Sequence, residues 1–176
     1  LYPRPFNIIC EADGFVGKEW LMRQIGCIPT HKFVSETALV KDMMYTVRTL
    51  KSSILLYPEA SYSFDGTSPT PLPESLGKCI KLLKVPVVMI RTYGAFQRDP
   101  LYNLLKLRNV DVSADMEYLL SPEEIASLTS DDINSLVSSR FAFDHFQWQK
   151  ENGIEGKEAF RADELSSVLH KCPKCG

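Results

Sequence analysis

The sequence predicts an α/β layer protein: a mixed, largely parallel sheet flanked by helices, with a helical segment at its C-terminal end. Three observations carry this. Short, almost wholly apolar runs of strand length occur at "FNIIC" (6–10), "SILLYP" (53–58) and "VPVVMI" (85–90), and runs without polar alternation suit strands covered on both faces. Between them, apolar residues recur every three or four positions, the period of a helix with one buried face. Strand and helix alternate through about residue 92, the order that parallel βαβ units require.

"FNIIC" is the first strand. In "GKEWLMRQIG", Trp20, Leu21 and Ile25 fall near helical spacing, and Gly26 stands where a helix stops. Ser35 is placed to cap a second helix carrying Leu39, Met43, Val47 and Leu50. "SILLYP" reads as a central strand, too apolar for one wet face. Leu76, Ile80 and Leu83 mark a further helix before the apolar strand "VPVVMIRTYG". The rhythm then changes. "NVDVSADMEYLLS" sets Val110, Val112, Ala114 and Met116 against Asp111, Ser113, Asp115 and Glu117, the pattern of a half-buried strand at an edge or in an antiparallel pair. "SPEE" (121–124) is a capping box with Pro at the first helical position. A longer helix from Thr129 or Ser130 carries Ile133, Leu136, Val137 and Phe141. Phe141, Phe143, Phe146 and Trp148 are expected to pack it on the sheet, a lipid-facing patch being the rarer alternative. "KENGIEGKE" links to a last short helix ending at His170. Residues 1–150 are expected to form the α/β domain, and 151–176 a linker helix with a terminal Cys motif.

The 176 residues suffice for one domain with a core. A 44% hydrophobic and 24% charged composition is that of a globular protein. A net charge of −2 gives no sign of a nucleic-acid partner. No apolar run approaches a bilayer span and no signal peptide is visible. Cys10, Cys27 and Cys79 are scattered in apolar surroundings, which suits reduced core thiols. A start at Leu1 in extended-looking sequence and a stop at "CPKCG" suggest a piece of something longer.

In open α/β sheets ligands gather at the carboxyl ends of strands. "YPEASYSFDGTS" follows such an end. There Glu59 is placed to accept a hydrogen bond from a substrate hydroxyl, beside Ser61, Ser63, Gly66 and Thr67, whose hydroxyls and approachable amides suit a phosphate or oxyanion. The plain alternative is a Glu opening a surface loop.

This stretch resembles the third block, Phe-Pro-Glu-Gly-Thr-Arg-Ser, of the glycerolipid acyltransferase superfamily, the 1-acylglycerol-3-phosphate acyltransferase-like group. "YPEASYS" aligns Pro58, Glu59, Ser61 and Ser63; "GCIPTHK" is similar to the second block, with Lys32 where Arg is usual; "VPVVMI" is similar to the fourth. "GKEWLMRQIGCIP" is similar to the family segment leading into the second block, which adds Lys18. The resemblance covers roughly residues 1–120. It implies a glycerol-3-phosphate acyltransferase-like fold and an O-acyltransferase of phospholipid biosynthesis, moving a fatty acyl group from acyl-CoA or acyl carrier protein to a lysophospholipid or glycerol-phosphate hydroxyl. Glu59 and Pro58 would position the acceptor, Lys32, Lys18 and Arg91 would meet phosphate or the carrier, and Ser61 would complete the cradle. No cofactor beyond the acyl donor is implied. The lipid acceptor implies a cytoplasmic protein in peripheral contact with the membrane.

Two departures stand out. The family's Gly-Thr-Arg is Ala60-Ser61-Tyr62 here, so a forked cation is replaced, and Lys binds only as a point charge. The acceptor is left open. The first block, His-x-x-x-x-Asp, supplies in the family the base that takes the acceptor's proton. Of His31, His145 and His170, only His31 has an acid at that spacing, Glu36, and it falls inside the second block. The base pair is therefore expected upstream of Leu1, and the chain alone is expected to be nearly or wholly inactive.

Cys172 and Cys175 in "CPKCG" have the form of half a zinc ribbon, two thiolates needing two further ligands; a redox pair is the alternative. The rival function is a non-catalytic acyltransferase-like adaptor that binds lipid or protein. A nucleotide-binding enzyme is disfavoured by the absence of Gly-x-x-x-x-Gly-Lys-Ser/Thr and Gly-x-Gly-x-x-Gly.

Overall fold

A computed structural model describes residues 5–31, 37–59, 63, 66–67, 71–103 and 106–167. In chain order the elements are β1 (Phe6–Glu11), α1 (Glu19–Gln24), β2 (Cys27–Thr30), α2 (Thr37–Arg48) and β3 (Ser53–Leu55). There follow α3 (Ser75–Leu83), β4 (Val87–Tyr93), α4 (Ala95–Arg98) and β5 (Ser113–Leu120). The last are α5 (Pro122–Ser127), α6 (Ser130–Phe141) and α7 (His145–Glu151). The chain divides into two compact units. The first comprises Leu1–Ala60, Leu72–Pro86 and Leu120–Asn134; the second comprises Ser61–Pro71, Val87–Leu119 and Ser135–Gly176.

The expected α/β fold with parallel strands and flanking helices is present. In the first unit β1 pairs in parallel with both β2 and β3, in the order β2-β1-β3, with Ile8 level with Cys27 on one side and Leu55 on the other. Parallel neighbours cannot be joined by a tight hairpin, so each connection must travel back the length of the sheet. The segments carrying α1 and α2 do this. Pairing sets Ile9, Ile28 and Ile54 on one face. Met43 of α2 seals that face, with Leu39, Cys79 and Leu83 packed alongside. Each fully buried side chain of this size contributes about 1.5–3 kcal/mol.

Helix ends follow the sequence cues. The Ser121–Glu124 box is closed in both directions: Glu124 N–H donates to Ser121 Oγ (3.2 Å) and Ser121 N–H to Glu124 Oε2 (2.7 Å). Thr129 and Asp132 do the same ahead of α6, and the Thr129 bonds hold the Asp132 carboxyl below the usual range. In mid-α3, Gly77 N–H donates to Asn134 Oδ1 (2.7 Å), while Asn134 Nδ2 donates to the Glu74 carbonyl (2.8 Å).

In the second unit β4 and β5 form a two-stranded sheet. Tyr93 meets Phe143 edge-on and Trp148 at a tilt, both at 5.5 Å, so part of the expected aromatic group packs against the end of β4, while Phe146 is 47% exposed. Arg108 lies over the Tyr102 ring (5.4 Å) and donates to Tyr102 Oη (2.8 Å) and the Arg161 carbonyl (2.7 Å).

Four expectations need correction. β3 is an outer strand within its unit and stops at Leu55, ahead of Pro58, which cannot donate to a ladder; Tyr57 is largely exposed. Leu50 lies past the end of α2 and is exposed. The expected alternation in β5 is absent: Ser113 to Met116 are all exposed, Tyr118 is outward, and the partly exposed Glu117 comes within 3.7 Å of Arg140. The segment after residue 151 is hydrogen-bonded within the second unit: Asn109 N–H donates to Glu158 Oε1, Asn103 Nδ2 to the Phe160 carbonyl, and Lys106 pairs with Asp163. Its expected last helix is a 3-10 turn at Leu165–Ser167, the residues after it lying outside those described.

A Cβ at Gly77 would overlap the Ser130 carbonyl oxygen, whereas at Gly14 it would meet nothing. Gly77→Ala is expected to cost about 1–3 kcal/mol in urea denaturation through forced displacement of α6, and Gly14→Ala close to nothing.

Candidate functional site

Because β1, β2 and β3 are parallel, their carboxyl ends at Glu11, Thr30 and Leu55 share one edge of the sheet. Three segments leave from that edge. After β1 comes a 3-10 turn at Ala12–Phe15, anchored by buried Phe15 and leading to Lys18. After β2 comes exposed His31. After β3 comes Leu56 to Glu59, where Pro58 and Glu59 are half-buried. The topology therefore brings Glu59 and Lys18 to one rim, with the carboxylate withdrawn from open solvent. Lys18 is exposed; its backbone N–H donates to the Phe15 carbonyl (2.7 Å), which fixes the stem while leaving the ammonium free to move.

Arg91 is placed differently. It lies on β4 in the second unit, its guanidinium donates to the Arg140 carbonyl, and it sits 5.6 Å from the Phe143 ring centre. Lys32, Glu36, Ser61, His170, Cys172 and Cys175 lie outside the described residues. Among the described residues no cluster of His, Cys, Asp and Glu could hold a metal ion.

His145 opens α7 in a box of aromatics, stacked on Phe96 (5.6 Å) and edge-on to Phe143 (4.7 Å). Its N–H donates to the Gly66 carbonyl (2.8 Å), and its own carbonyl accepts from Gln97 Nε2 (2.5 Å). Burial pushes the imidazole pKa down, and the nearby Asp144 charge opposes this only in part. Asp144 is already engaged, capping α7 through Phe146 N–H and Gln147 N–H at 2.9 Å. Gly66 itself has φ +74°, and a Cβ there would stand 2.9 Å from Phe96 and 3.1 Å from Phe146. Gly66 is thus pinned beneath aromatic rings. Sequence reading missed this clasp; the available signal was an Asp-Gly in the loop together with four aromatics between 141 and 148.

Among solved structures, the chain is similar to the 1-acyl-sn-glycerophosphate (LPA) acyltransferase PlsC from Thermotoga maritima, with a TM-score of 0.56 and 14% identity over 88% of this chain. The fold is acyltransferase-like. The match spans 59% of the PlsC chain. No protein-family model and no curated protein matches the sequence. Within the acyltransferase-like fold, no helix among the described residues is long and apolar enough to cross a membrane.

A histidine whose folded pKa lies below its unfolded value binds its proton more weakly in the native state, so stability rises with pH across that window. As pH falls through the unfolded value near 6.5, the protein is expected to lose stability, the loss levelling off below the folded pKa. His145→Gln should show a flatter dependence of Tm on pH between neutrality and pH 5 than the parent. Equal slopes would mean that His145 gives no such coupling.

Proposed function

We propose that this chain carries the acceptor- and thioester-binding part of an O-acyltransferase acting on a lysophospholipid or glycerol-phosphate hydroxyl, with acyl-CoA or acyl carrier protein as donor. The observation that supports it best is a half-buried Glu59 at the carboxyl edge of a parallel sheet in an acyltransferase-like fold. In this reading the Glu59 carboxylate accepts a hydrogen bond from the acceptor and aims its hydroxyl. Lys32 and Lys18 draw the phosphate or the anionic carrier toward the rim. Ser61 and neighbouring amides stabilise the oxyanion as the acceptor oxygen bonds to the thioester carbon and the C–S bond breaks. The hydroxyl proton passes through an imidazole to the departing thiolate. His145 is unsuited to such a proton transfer, because its buried Nδ1 has no hydrogen-bond partner and rings enclose it. Arg91 is engaged by the Arg140 carbonyl. Cys172 and Cys175 would offer two thiolates of a tetrahedral zinc site, which needs two further ligands.

One observation favours a second reading. Ala60-Ser61-Tyr62 replaces Gly-Thr-Arg in the resembling block, which suits an adaptor that binds lipid without acyl transfer. Thioester release measured with a panel of lysolipids, alongside calorimetric binding of the same lipids, separates the two. For the enzyme, Glu59→Gln is expected to lower kcat/KM about 100-fold, and Lys32→Ala to raise KM about tenfold with a smaller effect on kcat. Unchanged rates in both variants on a good substrate would remove these residues from the site. Lipid binding with no release by any variant or the parent supports the adaptor.

A further inference from the structure

The sequence places Trp20, Leu21 and Ile25 near helical spacing, and none of the residues of α1 is buried. Trp20 is 74% exposed, Leu21 50% and Ile25, just past its end, 61%; Val16, just before it, is 75% exposed. We propose that this face of α1 seats the protein on a phospholipid bilayer surface. The proposal deepens the acyltransferase reading, on which it rests for the lipid that such a surface would deliver.

The helix is firmly held. Phe15 is buried on one side of it, and on the other Gly26, at φ +86°, accepts at its carbonyl from Ile8 N–H (3.1 Å) and Asn7 Nδ2 (2.9 Å) of β1. The apolar side chains are therefore fixed outward rather than exposed by fraying. At 100° per residue, Trp20, Gln24, Leu21 and Ile25 span an arc of about 140°. Lys18 adjoins Ile25 at one border of this arc and Arg23 adjoins Trp20 at the other, both exposed. Glu19, the only carboxylate of the helix, falls opposite the arc and accepts from Gly17 N–H (3.1 Å). Apolar side chains between two cations, with no acid among them, complement a layer of acyl chains topped by phosphates, and tryptophan is at home at that depth.

A second copy of the chain fits less well. The helix has six residues and is about 9 Å long, too short a patch for the ~800 Å² per partner of a stable interface. Position also favours lipid. α1 follows β1 from the carboxyl edge of the sheet, so its first turn lies at the rim that carries Glu59.

The chain has two tryptophans, so Trp148→Phe leaves Trp20 as the sole reporter. Added phosphatidylcholine–phosphatidylglycerol vesicles are expected to shift its emission to the blue, and brominated acyl chains to quench it. Should Trp148→Phe fail to fold, the difference between parent and Trp20→Phe spectra gives the same reading. The double variant Leu21→Ser/Ile25→Ser should keep its melting curve and lose vesicle co-sedimentation at least tenfold. Unchanged Trp20 emission, or undiminished binding by the double variant, overturns the proposal. So does a concentration-dependent dimer that the same substitutions abolish. Thioester release with water-soluble glycerol phosphate keeps the two readings apart. Its absence alongside intact vesicle binding counts against the enzyme and not the membrane face.

Discussion

One constraint shapes the first unit: β1 is paired in parallel on both sides. That single fact forces two return crossings, gives α1 and α2 their places, and sends three carboxyl ends to one rim. The face made by Ile9, Ile28 and Ile54 then needs cover, and Met43 and Cys79 provide it. Burial pushes the Cys79 thiol up, and burial together with the neighbouring Cys27 does the same to Cys10. Raised thiols are poor nucleophiles at neutral pH. Cys10 and Cys79 thus fit the expected role of core thiols.

The second unit is organised by a different device. Its strands β4 and β5 are too few to enclose a core, and aromatic rings do the work that further strands would do elsewhere. Tyr93, Phe143 and Trp148 make one group, and Phe96, His145 and Phe146 another. Between rings and backbone there is room at Gly66 for a hydrogen atom and little more.

Element identity was legible wherever local chemistry decided it. Ser121-Pro122-Glu123-Glu124 carries its own cap, and the periodic Leu39 and Met43 could belong only to a helix. What failed depended on partners distant in sequence. "SILLYP" is apolar enough for a central strand, but Pro58 and exposed Tyr57 end it early. In β5 the alternating pattern did not mark a buried face, since Ser113 to Met116 are all exposed, which no count of apolar residues reveals. Trp20, Leu21 and Ile25 have the spacing of a buried stripe, and spacing cannot say whether a stripe meets protein or something else. That Glu59 and Lys18 follow strands ending at one edge was readable because parallel order implies a shared edge. The engagement of Arg91 was not, because it arises from a contact 49 residues away.

That engagement bears on selectivity. A guanidinium presents a rigid fork that matches two phosphate oxygens and so rewards one headgroup geometry over others; an ammonium on a flexible stem attracts charge with little regard to angle. With Tyr62 in the place of the family Arg and Arg91 donating to a backbone carbonyl, the cations left to a substrate in the proposed reading are Lys18 and Lys32. Discrimination would then shift from the phosphate to the hydroxyl, where Glu59 demands a donor at one place. An acceptor lacking that hydroxyl would cover a half-buried carboxylate without giving it a hydrogen bond, which costs more than a poorly met phosphate at an exposed rim. A site built this way is strict about the alcohol and tolerant of the charge beside it.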